Sequence, residues 1–322
     1  MKHDWGLMMK KMYQGVLIAS MVCGLSACGG SSSDAGSSTV TPPTTQQAVR
    51  IHFAVKAGSQ PVSCGTPITG LGTSSATAQL QDLRFYVSDV HLMTADNVEV
   101  PVTLTDDRQW QRDGIALIDL ENGLGNCALN GTAAMNVDLV GQVPAGNYTG
   151  MGFTVGLPSE LNHSNVATEA APLDVNAMAW SWQNGRKLFK LELVPDAGVT
   201  TPAQPDATPP IAQSTASAFL VHLGATGCSA NPDTVGYACT NPNQMTFHSH
   251  AFDANTQQIV VDVASLLATT DITVNHGGPA GCMSGKTDPE CVAIFEQLKM
   301  DLATGLPIDD GHGQGLFKVE SK

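Results

Sequence analysis

An export signal followed by six cysteines constrains this chain more than any other feature. Lys10 and Lys11 precede an apolar run over residues 16–22 that is too short to remain as a membrane-spanning helix and closes on Leu25-Ser26-Ala27-Cys28. Small residues before a cysteine are the pattern of a lipoprotein signal peptide: they fit the peptidase cleft, and the Cys28 thiol takes the lipid. Residues 1–28 are read accordingly, with Cys28 as the lipidation site. With Cys23 and Cys28 set aside, Cys64, Cys127, Cys228, Cys239, Cys282 and Cys291 remain. An even set in an exported chain implies three disulfides. The short separations of Cys228 from Cys239 and of Cys282 from Cys291 favour two local loops and leave Cys64 for Cys127. Zinc binding by these thiols is the rival reading, and the lack of any Cys-x-x-Cys knuckle weakens it.

Removing residues 1–28 takes away Lys2, Lys10, Lys11 and Asp4, leaving 12 basic and 28 acidic residues and a net charge of −16. Such a chain repels phosphate backbones, so nucleic acid is not an expected partner. The membrane is expected to be met through the lipid alone, and Gly29 after Cys28 fits sorting to the outer membrane, facing periplasm or surface.

Residues 29–47, rich in Ser, Thr, Gly and Pro, contain almost nothing to bury and read as a flexible tether. From Ala48 onward the chain reads as short strands. Val49-Arg50-Ile51-His52-Phe53-Ala54-Val55 alternates apolar and polar, as a half-buried strand should, and similar signals recur at 83–92, 99–104, 150–155, 189–194, 219–223 and 259–263. Helical periodicity is confined to residues 291–302 and a short stretch at 263–267. The expectation is an all-β, sandwich-like domain over residues 48–272, stapled by disulfides and carrying a few short helices, with 273–322 as a small C-terminal appendage. The Pro-, Ala- and Thr-rich segment 195–217 reads as a long surface loop without strands.

No Gly-x-Ser-x-Gly elbow, phosphate-cradling glycine loop or His-Glu-x-x-His pair is present, so the sequence offers no positive case for an enzyme. What stands out is a set of imidazoles, a thioether and two indoles. In Met178-Ala179-Trp180-Ser181-Trp182, an extended backbone would put Met178, Trp180 and Trp182 on one face. A plain core stripe explains that as well, yet two of only four tryptophans fall in one tripeptide. His52 and His222 each lie opposite their apolar neighbours in a strand, which would let both face one polar pocket. His163 follows Asn162 in a loop, and His248 and His250 are two apart on one strand face, a spacing able to chelate a metal. Imidazole and thioether donors together select copper over calcium or magnesium.

The chain resembles the MbnP-like family, copper-binding proteins encoded beside MauG-like di-haem peroxidases in methanobactin operons and other copper-related settings. The resemblance rests on Leu83-Arg84-Phe85-Tyr86-Val87-Ser88-Asp89-Val90, Leu161-Asn162-His163, Pro172-Leu173 leading to Met178-Ala179-Trp180-Ser181-Trp182-Gln183, Val221-His222-Leu223-Gly224-Ala225-Thr226-Gly227-Cys228, and Cys282-Met283-Ser284-Gly285 closing with Asp288-Pro289-Glu290-Cys291. It implies that Trp180 is oxidised to kynurenine by a MauG-like di-haem cytochrome c peroxidase. An indole nitrogen only donates, whereas kynurenine offers an amine and a carbonyl that can bind a metal. With His52, His222, His163 and Met178 as candidate ligands, such a site would suit a single Cu(I) ion in copper homeostasis. This sequence departs from the family pattern where the usual Gly-Tyr-Lys-Phe becomes Gly185-Arg186-Lys187-Leu188. The alternatives are a metal-free adhesin or carbohydrate-binding sandwich, and a zinc- or copper-dependent enzyme with an open coordination position.

Overall fold

A computed structural model describes residues 45–180, 185–229 and 238–322. Residues 1–28 read as a signal peptide, the expected lipidation site Cys28, the stretch read as a tether up to residue 44, and Trp182 lie outside the described residues.

The alternation read from the sequence produces two large sheets among the described residues, beside three two-stranded ribbons. One is six-stranded, with β1 (Gln46–Ala57) at its centre; the other is ten-stranded and built around the long strand β2 (Ala76–Met93). The remaining principal strands are β3 (Ile115–Asp119), β4 (Asp138–Pro144), β5 (Gly150–Val155), β6 (Lys187–Pro195), β7 (Phe219–Gly224), β8 (Met245–Ser249), β9 (Gln257–Asp262), β10 (Gly281–Cys282) and β11 (Phe317–Ser321). The smaller sheet runs β11-β9-β1-β4, and the larger runs β8-β5-β2-β6-β7-β10. Most pairs are antiparallel; β1 with β9 and β7 with β10 are parallel.

The sheets pack face to face through alternate side chains. Ile51, Phe53, Ile259, Val261 and Phe317 of one meet Phe85, Val87, Phe153, Phe189, Val221 and Leu223 of the other in a single buried cluster. Phe53 stands edge-on to Phe85 and Phe153, with centroids 5.6 and 5.7 Å apart, and Phe317 lies 5.2 Å from Phe153. Such pairs add directional preference to the area they remove from water. The expected all-β sandwich is the architecture found.

Three disulfides join Cys64 to Cys127, Cys228 to Cys239 and Cys282 to Cys291. The thiols are thereby removed as zinc ligands.

Several expectations need correction. Ordered pairing begins at Gln46, inside the stretch assigned to the tether, because Gln46 and Gln47 already pair with Pro144 and Val143. Residues 273–322 are not an appendage. β10 extends the larger sheet beside β7, β11 pairs with β9 in the smaller one, and Cys291, Ile294 and Phe295 of helix α1 (Pro289–Gln297) sit in the main core. Asp288 caps α1 by accepting from the Glu290 N–H, and Pro289 occupies the first turn, where its missing N–H costs nothing. Segment 195–217 does supply strands: β-branched Val199–Thr201 pairs with Ser214–Ala216.

Candidate metal centre

Trp180 sits where a short helical turn gives way to an extended return. Asn176–Met178 forms a 3-10 turn, and then the Trp180 N–H donates to the Gly185 carbonyl at 3.1 Å while Ala179 bridges to Arg186. Lys187 fixes this turn by donating from Nζ to the carbonyls of Ala177 at 2.8 Å and Ala179 at 3.1 Å. Burial, reinforced by the nearby Lys190 charge, holds the Lys187 amine down at about 8. Gly185 is required because its backbone is left-handed (φ 74°) and a Cβ there would fall 2.7 Å from Asn162 Oδ1.

Arg186 explains the departure from the family pattern. Its fully buried guanidinium donates to the carbonyls of Leu161 (2.6 Å), Asn162 (3.0 Å) and Leu173 (2.7 Å from Nη2). The residue that replaces an aromatic ring thus ties the 161–163 loop to the Trp180 turn. Asn162 completes the tie by accepting the Arg186 backbone N–H at 2.8 Å, and together with Ala179, Trp180 and Gly185 it lines a cleft of about 250 Å³.

The second half of the site lies on the outward face of the larger sheet. Because Val221 and Leu223 point into the core, His222 and Gly224 point the other way. The six-membered ring of Trp180 lies directly over Gly224, with Cη2 2.8 Å from where a Cβ would stand. His222 is only 4 % exposed, and its Nε2 lies 2.8 Å from Glu192 Oε1. Burial raises the Glu192 carboxyl, but hydrogen bonds from His222 and Gln81 and the Lys190 charge outweigh it and hold the group at about 2. An ionised carboxylate only accepts, so His222 Nε2 carries the proton. Burial lowers the imidazole's own pKa against the pull of Glu192, which keeps it neutral and leaves Nδ1 with a bare lone pair. That nitrogen is buried and has no hydrogen-bond partner among the described residues; neither has Trp180 Nε1.

Behind His222 runs a buried chain of charge. Glu192 pairs with Lys190 at 3.2 Å, Lys190 with Asp82, and Asp82 with Arg84, whose Nε donates to Oδ1 at 2.8 Å. All four are nearly inaccessible and sit at alternate, outward-facing positions of β6 and β2.

The structure unites some of the candidates and separates others. His163 follows Asn162 in the loop bordering the Trp180 cleft, with Nε2 3.2 Å from Asn162 Nδ2 and 3.3 Å from Cys239 Sγ. His52 does not share a pocket with His222. Both point away from the core as expected, but they belong to sheets stacked face to face, so their outward faces are opposite sides of the molecule. His52 Nδ1 instead bonds Asp138 Oδ1 at 2.9 Å beside Arg50. Met178 is also corrected as a ligand. The 3-10 turn breaks the strand alternation, and its fully buried side chain packs in a second core cluster with Tyr86, Leu173 and Leu188.

The MbnP family matches residues 46–284. The solved structure of MbnP from Methylosinus trichosporium superposes with a TM-score of 0.75 at 33 % identity, covering 86 % of this chain and 99 % of that one. The chain belongs to the MbnP family. No curated protein matches it.

For this MbnP family member, two residues near the site escaped the sequence reading. Glu192 orients His222, and its signal was the outward polar pair Lys190 and Glu192 set among the apolar residues of 188–194. Met283 follows directly on the Val221–Cys282 register, and the neighbouring Ser284 hydroxyl accepts from the Gly224 N–H and donates to the His222 carbonyl. A half-buried thioether thus sits beside the strand end that carries His222 and Gly224. A larger cleft of about 750 Å³ elsewhere, lined by Gln47, Arg50, Tyr148 and Asn255 among others, contains no imidazole or thioether.

Proposed function

We propose that this chain is an exported lipoprotein that binds a single copper ion, as Cu(I), beside Trp180 and serves copper homeostasis without catalysing a reaction of its own. One observation carries the reading: His222 is locked by Glu192 in the tautomer that leaves Nδ1 bare and buried, on the same strand face as the glycine that seats the Trp180 ring. A carboxylate that orients an imidazole is the arrangement commonly found behind metal-ligating histidines. His222 would hold the ion, with His163 and Met283 as the nearby donors and the modified Trp180 completing a soft to borderline set suited to Cu(I).

The modification belongs to a di-haem peroxidase partner with peroxide as oxidant. Two peroxide equivalents deliver two oxygen atoms to the indole, cleave its C2–C3 bond and leave as water. Hydrolysis of the resulting formamide then releases C2 as formate and leaves kynurenine. The chain's own contribution is positional. Gly224 seats the ring, Lys187 and Arg186 immobilise the turn before and after it, and among the described residues the buried indole N–H finds no acceptor that its loss would orphan.

The test is to produce the full chain with and without the di-haem partner, followed by peptide mass spectrometry and metal analysis. The expected result is one copper per chain only where Trp180 is kynurenine, none in Trp180→Phe, and affinity weakened roughly 10–100-fold in Glu192→Gln. Copper bound equally by unmodified chain and by Trp180→Phe overturns the reading. Native protein with intact Trp180 and no copper favours the adhesin or carbohydrate-binding alternative.

A further inference from the structure

The opposite edge of the larger sheet carries a second group of imidazoles that the Trp180 site does not use. Gly152 of β5 is paired on one side with His91 of β2 and on the other with His248 of β8. Met151 and Phe153 point into the core, so Gly152 and both histidines share the outward face. A bulge brings His91 there. Asp89 adopts φ 52°, the register shifts between Gly152 and Thr154, and the inward set changes from Leu83, Phe85 and Val87 to Val90 and Leu92. The missing side chain at Gly152 leaves a niche between the two rings: a Cβ there would collide with His91 Nε2 and lie 2.8 Å from His248 Nδ1.

Both rings aim a nitrogen into that niche, and His91 is held in the tautomer that makes its nitrogen a lone pair. His91 Nδ1 lies 3.0 Å from the Asp89 carbonyl, which can only accept, so Nδ1 carries the proton and Nε2 does not. His248 Nε2 lies 3.2 Å from the Asp310 carboxylate, and its Nδ1 is the nitrogen that faces Gly152. His91 Nε2 is buried without a hydrogen-bond partner among the described residues, and Glu99 Oε1 stands 3.6 Å from it. Donor atoms of His91, His248 and Glu99 all lie within 4.8 Å of one another. A cation placed among these converging donor atoms would be attracted by the Glu99 carboxylate and by the His91 Nε2 lone pair. Among the described residues, the other two groupings of this kind, around Cys228 with Cys239 and Cys64 with Cys127, have their sulfurs tied up as disulfides.

We infer that His91, His248 and Glu99 form a second metal site, for a borderline divalent cation of the zinc class, independent of the copper reading. Two imidazoles and one carboxylate suit such an ion, whereas calcium and magnesium take oxygen ligands almost throughout. The Asp89 carbonyl acts as the outer acceptor that orients His91, as is common behind metal-bound histidines, and the Asp310 carboxylate stands beside His248. His312, its ring centroid 6.2 Å from that of His248, stands nearby as a further imidazole. Glu99 is largely exposed, so one side of the site opens to solvent.

The experiment titrates zinc into the full-length Trp180→Phe chain, which lacks the kynurenine site, and compares it with the same chain carrying His248→Gln. One saturable equivalent is expected, with affinity falling tenfold or more in His248→Gln. If His248→Gln does not fold, Glu99→Gln at the exposed position takes its place and is read in the same way. Absence of saturable zinc binding, meaning that only a proton occupies the niche, or binding unchanged in the variant, overturns the proposal. Loss of copper in Trp180→Phe does not affect this outcome, so the two sites stand or fall separately.

Discussion

The benzo ring of Trp180 rests on the α-carbon of Gly224, two residues along the same outward strand face from His222. Any side chain at 224 would enter the ring. A Cβ there collides with Cζ3, lies 2.8 Å from Cη2 and stands 3.0 Å from the Arg186 carbonyl, so it has no escape toward the backbone.

Gly224→Ala is therefore expected to push the indole off its seat. Overpacking of this kind costs about 1–3 kcal/mol, read by urea unfolding. The displaced ring should shift the tryptophan fluorescence, and under the proposed function the chain should emerge from coexpression with a di-haem peroxidase depleted in copper. Wild-type copper content in this variant would show that the ring's seat does not govern the site.

Much of this arrangement was legible from alternation alone. His222 and His52 are outward-facing because Val221, Leu223, Ile51 and Phe53 are inward-facing, and period two requires nothing more. What alternation cannot encode is which outer face each strand contributes to, since that depends on sheet membership and hence on long-range pairing. His52 was misplaced for that reason alone. Local breaks in phase were equally hidden. The helical turn at Asn176–Met178 redirects Met178 into the core, and the bulge at Asp89 turns His91 outward. The two-residue strand Gly281–Cys282 is too short to carry a periodic signal, although it docks the segment containing Met283 beside His222. Arg186 read only as a departure from a pattern, because a guanidinium that ties three carbonyls of distant residues has no local signature.

The buried charges behind His222 make a separate prediction. Lys190 Nζ lies between Asp82 and Glu192, and Asp82 is also held by Arg84. In Lys190→Met, Asp82 keeps its guanidinium, while Glu192 loses its fixed positive neighbour inside the protein. Removing one partner from a buried ionic group typically costs about 3–5 kcal/mol, and the variant should lose stability on that scale by urea denaturation. With less compensating charge, the Glu192 carboxyl should also titrate above its folded value of about 2, visible by carboxyl-selective infrared or NMR titration. A variant as stable as wild type would mean that the chain of charges is not ionised as drawn.

Asp119 supplies the pH dependence. Its carboxyl is 2 % exposed and accepts the Glu121 backbone N–H at 3.2 Å. Burial pushes it up to about 7; Arg84 pulls it down, and Glu121 adds to the rise. In the unfolded chain the same group ionises near its ordinary 3.8. Below that value both states hold the proton and the group costs nothing. Between about 4 and 7 the unfolded state releases its proton while the folded state retains it, so stability falls as pH rises, and above about 7 the loss levels off. Asparagine keeps the oxygen that accepts from Glu121 and cannot titrate. The melting temperature of Asp119→Asn minus that of wild type should accordingly climb from pH 4 to pH 7 and then flatten, other titrating groups cancelling in the difference. A difference that stays level across this window would mean that Asp119 ionises in the folded protein as readily as in the unfolded chain.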